Sequence, residues 1–264
     1  MDKELGSRER DLYLKQMLNL IGLIVMLTAN FLANWLPINN ITTAEVSDLY
    51  PNIFTPAGIT FAIWGLIYLV LSILTIYLFW GLSNSRSRVE EYIESLGPLF
   101  FISSLLNAAW IFAWHYLLIE LSVIIMIALL ASLIIIYRRI KVKRDFGWLA
   151  TPFSIYLGWI SVATIANIVA WQTTITWDML GLTEEIWLAI ILLVILALTV
   201  FFLKYFRDLA FSLVVLWALA GIFLERSAEA AVFSLPPLAT AIVLVLIILA
   251  ILKFYDFRRI SFKN

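Results

Sequence analysis

Three short runs of this sequence carry aromatic rings and polar side chains at helical spacing. Trp64, Tyr68 and Ser72 recur every fourth residue. Ser103, Asn107, Trp110 and Trp114 follow i, i+4, i+7 and i+11, and Tyr156, Trp159, Ala163 and Asn167 follow i, i+3, i+7 and i+11. Residues at these intervals share one face of a helix. Indole and phenol rings stack on flat apolar molecules, and a side-chain amide offers both donors and an acceptor. Such faces bind rather than make bonds. An aromatic wall with a few amide anchors suits a flat, largely apolar ligand better than an ion or a sugar.

Residues suited to catalysis are scarce. The chain has no Cys and one His, which removes disulfides, thiolate nucleophiles, Cys-ligated metals and His-rich metal sites. Metalloprotease and nucleotide-binding signatures are absent. An ionisable side chain at the centre of a membrane helix costs about 2.5–3.5 kcal/mol and usually marks function. Here Glu120, His115, Glu184, Glu185, Glu225 and Glu229 fall at helix ends, and Lys204 and Lys253 lie too near the ends to carry a buried Schiff base. His115 reads as an interfacial neighbour of Trp114 and Tyr116. Asn107 and Asn167 should point inward, as polar glue between helices or as ligand contacts. With no acid, base or nucleophile constellation, the chain is not expected to be an enzyme.

Composition says what must hold these faces in place. Of 264 residues, 63% are hydrophobic and 14% charged, with mean hydropathy +0.99, far more apolar than a water-soluble domain. About 20 apolar residues cross a bilayer core. Long apolar runs predict eight spans, at 17–36, 57–80, 98–117, 119–138, 148–171, 185–206, 209–225 and 235–255, so the fold class is all-α, a polytopic membrane helix bundle. The seventh run is the shortest. Pro236 and Pro237 after Ser234 suit the first turn of the eighth, where a missing amide proton costs nothing. Acidic residues mixed into the amino terminus argue for an uncleaved first helix rather than a signal peptide.

Of the 18 Lys and Arg residues, all but Arg226 fall in segments on one side of that arrangement, with Arg86, Arg138, Arg144, Lys204 and Lys263 among them. Basic residues stay cytoplasmic, so both termini are expected inside, in the cell (plasma) membrane. Pro37, Asn39, Asn40, Glu45, Asp48 and Pro51 lie in a long outer loop from Leu36 to Thr55, and a second runs from Gln172 to Glu184. The third and fourth spans form an antiparallel hairpin. No internal repeat is visible, which weakens an inverted-repeat transporter reading. Trp35, Trp80, Trp148, Trp177 and Trp187 sit where an interfacial belt would, whereas Trp64, Trp110 and Trp159 lie deeper in their spans. Asp plus Glu also total 18, and this balance leaves no footprint for nucleic acid.

FAIWGLIY (Phe61 to Tyr68), LLNAAW (Leu105 to Trp110) and YLGWISVATIANIVAW (Tyr156 to Trp171) resemble the second, third and fifth helices of the tryptophan-rich sensory protein, or translocator protein, family (TspO/MBR). The resemblance covers roughly residues 15–171. It implies a five-helix bundle whose cavity is closed by the first loop and binds porphyrins, haem-related tetrapyrroles or, in eukaryotes, sterols. By that resemblance Trp64, Tyr68, Asn107, Trp110, Trp159, Ala163 and Asn167 look like the cavity lining. Two departures stand out. The family's WxPP element in the first loop is replaced by YPNIFTPAGITF, and the chain continues past Trp171.

The expected organisation is therefore a TspO-like ligand-binding bundle over 1–171 and an appended three-helix transmembrane segment over 172–264. The expected function is a membrane receptor or carrier for a flat hydrophobic ligand such as a porphyrin or other tetrapyrrole. A small-solute transporter or permease subunit is the alternative, and by resemblance an enzyme degrading a photosensitised porphyrin is a third. No resident cofactor or metal is assigned; porphyrin or haem enters as ligand. Expected partners are the lipid bilayer, a hydrophobic small molecule and a second copy of the chain in a homodimer, with no nucleic acid.

Overall fold

A computed structural model describes residues 2–36, 38–84, 87–143, 146–229 and 235–261. Pro37, Arg86, Arg144, Ser234 and Lys263, used above for loops, charge and capping, lie outside the described residues. The described residues form ten α-helices: α1 (Asp2–Trp35), α2 (Thr43–Asp48), α3 (Ile63–Ser83), α4 (Ser87–Leu96), α5 (Leu99–His115), α6 (Ile119–Tyr137), α7 (Thr151–Thr174), α8 (Glu184–Phe201), α9 (Leu209–Glu229) and α10 (Leu235–Ser261).

Among the described residues, seven helices are long and apolar enough to cross a membrane: Ser7–Trp35, Gly58–Ser83, Ile119–Val142, Gly147–Thr174, Glu184–Phe206, Leu209–Ala228 and Pro236–Phe254. An eighth span arises if α4 and α5, bent by 49° at their junction, are taken together. The chain is an integral membrane protein of helical-bundle class. Each predicted run thus has a helix. The seventh is longer than its apolar core suggested, 20 residues from Leu209 to Ala228, because Glu225 and Arg226 continue the helix.

Helix α4 was not expected from the apolar runs. It is amphipathic, burying Val89, Tyr92, Ile93 and Leu96 at three- and four-residue spacing and leaving its glutamates outward. Gly97, at φ 52° in the left-handed region that glycine tolerates, ends it, and α5 starts after Pro98 at the angle noted above. Charge pairs join α4 to the start of α1: the Arg8 guanidinium donates to Glu94 at 3.0 Å and lies 3.7 Å from Glu90.

The chain divides into two compact units, residues 1–43 with 63–157, and residues 44–62 with 158–264. In the first unit α1 packs along α5 and α3, and α5 pairs with α6. Its core includes Met26, Ile67, Leu71, Tyr92, Met126 and Leu133. In the second, α10 packs on α8 and α9, and the turn Gly58–Ala62 packs on α9. Phe202 and Phe211 stack there with centroids 3.8 Å apart. The Thr183 hydroxyl caps α8 by accepting the Ile186 amide, with Glu184 and Glu185 in the first turn, where carboxylates favour the helix dipole. Within the long loop, burial and the neighbouring Glu45 carboxylate raise the Asp48 carboxyl above its ordinary range.

Candidate ligand-binding site

Exposure separates six of the eleven tryptophans into two sets. Trp35, Trp80 and Trp148 are 73%, 54% and 59% exposed, whereas Trp64, Trp110 and Trp159 are 7%, 3% and 3% exposed. The first set suits an interfacial belt. The second is packed inside.

In the first unit the buried rings form one continuous stack. On α3, Trp64 lies on Tyr68 with centroids 5.6 Å apart and planes inclined by 19°. Trp64 also meets Trp110 of α5 at 5.6 Å and 30°, and Trp110 continues onto Trp114 at 6.0 Å and 22°. Tyr156 closes the group edge-on to Trp64 at 6.3 Å. Residues four apart bring their rings together on one helix face, and each such pair contributes about 0.5–1.5 kcal/mol beyond its buried area.

A chain of hydrogen bonds runs beside the rings. Asn107, fully buried, donates through Nδ2 to the Tyr156 hydroxyl at 2.9 Å. Its Oδ1 accepts from Asn30 Nδ2 at 2.8 Å, and Asn30 also donates to the Met26 carbonyl. Three helices are thereby joined, each bond typically adding about 0.6 kcal/mol within a membrane bundle. Asn30 was missed in the sequence. Its signal was an amide inside an otherwise apolar run, the same signal that drew attention to Asn107.

The Trp110 indole Nε1 is buried and has no hydrogen-bond partner among the described residues. Its neighbour Trp114 is instead tied down, donating to the Thr43 carbonyl at 3.1 Å. His115 differs from the interfacial role expected for it. It is fully buried, its Nε2 lies 3.0 Å from the Thr43 hydroxyl and its Nδ1 3.2 Å from the Ile38 carbonyl, and the Asn39 side-chain amide donates to the His115 backbone carbonyl. The imidazole pins the chain after α1 onto the end of α5. Its spacing gave no hint of this, because the partners lie in a short turn and at the start of α2, outside the long apolar runs.

Of the residues proposed from the sequence, Trp64, Tyr68, Asn107 and Trp110 come together in the first unit. Trp159, Ala163 and Asn167 belong to the second, on one face of α7. There Trp159 and Asn167 are buried, Ala163 is half-buried, and Phe61 packs edge-on against the Trp159 ring, with centroids 6.1 Å apart and planes at 80°.

Helices long enough to cross a bilayer, with a buried stack of indole and phenol rings flanked by amides, define a polytopic membrane helix bundle with an aromatic interior. The family model for TSPO-like proteins matches residues 16–255, and the chain belongs to that family. The match runs beyond Trp171 and takes in the last three helices. No curated protein and no solved structure matches the chain.

Proposed function

We propose that this protein is a non-enzymatic membrane receptor or carrier for a flat hydrophobic ligand, with a porphyrin or other tetrapyrrole as the first class to test. The observation that carries this reading is the Trp64–Tyr68–Trp110–Trp114 stack with a buried indole N–H that has no partner among the described residues. Leaving a buried donor unmade costs about 1–3 kcal/mol. A carboxylate or carbonyl on a bound planar molecule would satisfy Trp110, while the molecule's face continues the stack. Trp159 and Asn167, at helical spacing on α7, are the second group of candidate contacts.

The proposal includes a plasma-membrane setting with both termini cytoplasmic, from the distribution of Lys and Arg, and a homodimer as the assembly. Reporter fusions after Asn264 and between Arg138 and Arg144 should both read cytoplasmic, and one near Asp48 external.

The direct test is a tryptophan-fluorescence quenching titration of detergent-purified protein with protoporphyrin IX, haem and a neutral sterol. Saturable quenching by a tetrapyrrole that weakens in Trp110→Phe supports the reading. Equal, non-saturating quenching by all three would overturn it. Proteoliposome flux then separates receptor from transporter: saturable counterflow of a small solute would favour the transporter alternative.

A further inference from the structure

Helix α9 makes an unusually close contact with the turn that leads into α3. Gly221 sits mid-helix, and a Cβ placed on it would lie 1.9 Å from Thr60 Oγ1 and 2.9 Å from Thr60 Cβ. Only a residue without a side chain lets the loop come this near. At that approach the Ala57 amide donates to the Gly221 carbonyl at 3.1 Å, and the Trp217 indole donates to the Thr60 carbonyl at 2.9 Å. Trp217 and Gly221 are one helical turn apart, so two successive positions on one face of α9 grip residues 57–60. Thr60 is almost fully buried by this contact, whereas Trp217 keeps 41% of its surface exposed. The next residue after Thr60 is Phe61, whose ring stands edge-on to Trp159.

From this chain of contacts, all within the second unit, we infer that α9 is a positioning element for Trp159: Trp217 and Gly221 hold the 57–60 turn, and the turn holds Phe61 against the indole. Trp217 and Gly221 act through that turn and are positioning residues. In consequence α9 is tied to one of the candidate binding residues, where the sequence had suggested an appendage. A bare span would need neither the glycine nor the indole-to-carbonyl bond. Where Trp159 contacts a ligand, as proposed above, α9 sets the orientation of that contact; this consequence rests on the ligand reading, whereas the positioning itself does not.

The experiment is ¹⁹F NMR of full-length protein labelled with 5-fluorotryptophan, in detergent and without ligand, the Trp159 resonance being assigned by Trp159→Phe. Trp217→Phe keeps an aromatic ring, smaller than the indole, and removes the N–H donor, at a partly exposed position where folding should survive. It should shift or broaden the Trp159 resonance, as should Phe61→Leu, while the Trp80 resonance stays in place. Amide exchange of residues 57–61 should rise about fivefold in Trp217→Phe, the factor expected for one hydrogen bond. A Trp159 resonance unmoved by Trp217→Phe overturns the inference, whatever Phe61→Leu does. A protoporphyrin IX titration of the same variants then tests the ligand reading separately. If Trp159→Leu binds as well as the parent, Trp159 is not a ligand contact, and the resonance still decides whether α9 positions it. If Trp159→Leu weakens binding and α9 orients that contact, Trp217→Phe should weaken it severalfold, with no further loss in the double variant.

Discussion

The two compact units bury different kinds of chemistry. The first is knitted by side chains: aromatic rings stacked across α3 and α5, and an amide chain from Asn30 through Asn107 to Tyr156. In the second, backbone meets backbone where Ala57 reaches the Gly221 carbonyl, and small residues allow the approach. Between membrane helices apolar burial gives little net drive, so association must come from close packing or from hydrogen bonds. The buried amide chain is particular to the first unit and the backbone approach at Gly221 to the second, so substitutions at one contact should leave the other intact.

The largest effect should come from closing the gap at Gly221. Gly221→Val puts methyl groups where Thr60 already sits and should cost about 3 kcal/mol, the upper end for overpacking. Reduced yield of monodisperse protein and a lower thermal midpoint in detergent would report it. Gly65 of α3 is the control, since nothing lies within 4 Å of a Cβ added there. Gly65→Ala should be neutral or stabilising by up to about 1 kcal/mol, because alanine is the better helix former. Comparable losses in both variants would mean that glycine here serves helix flexibility and not close packing.

Next in size is the loss of an aromatic wall. Trp159→Leu keeps an apolar side chain and removes the ring, and protoporphyrin IX affinity should fall about five- to hundredfold, since stacking on one flat base is worth about 1–3 kcal/mol. Unchanged affinity would leave the stripe on α7 as packing only.

Asn107→Leu tests the side-chain mode. It strips the Tyr156 hydroxyl of its donor and Asn30 of one acceptor, although Asn30 retains the Met26 carbonyl. Because Asn30 is only partly deprived, the stability cost should be about 1–2 kcal/mol, nearer the low end of the 1–3 expected for an orphaned buried group. Ligand affinity should drop as well. A thermal midpoint equal to the parent's would show that the amide chain does not bind the helices together.

The spans were legible because twenty-residue apolar runs bounded by charge have few alternatives in a bilayer. Burial of Trp64, Trp110 and Trp159 was legible too, from their depth within those runs. Helix α4 was not, since ten residues of mixed polarity look like any connection between spans, and its meaning depends on Arg8, far away in sequence. Nor was the attachment of residues 57–60 to α9. That contact is made by a glycine, a backbone amide and an indole whose partner is a carbonyl, none of which leaves a periodic trace. His115 was misjudged for the same reason, as its hydrogen bonds go to Ile38 in a short turn and to Thr43 at the start of α2. Periodicity reveals faces, and it is silent on what a loop does once it meets one.

The smallest expected effects belong to the belt tryptophans, and they sharpen the contrast between rings that line an interior and rings that face lipid. Trp187 was the natural belt control from its place at the start of α8, but it is half-buried and packs edge-on against Trp177 with centroids 4.9 Å apart. Trp187→Leu should therefore leave protoporphyrin IX affinity unchanged while lowering stability by about 0.5–1.5 kcal/mol, the worth of one aromatic pair. Trp80 is the cleaner control. It is 54% exposed, and its ring lies 6.5 Å from that of Tyr77, so Trp80→Leu should change affinity by less than twofold and stability by less than about 0.5 kcal/mol. Fluorescence titration and a thermal melt on the same preparation give both numbers. If Trp80→Leu weakened tetrapyrrole binding as much as Trp159→Leu, the quenching would be reporting adsorption of the ligand to the interfacial belt, and the buried stack would lose its claim to be the site.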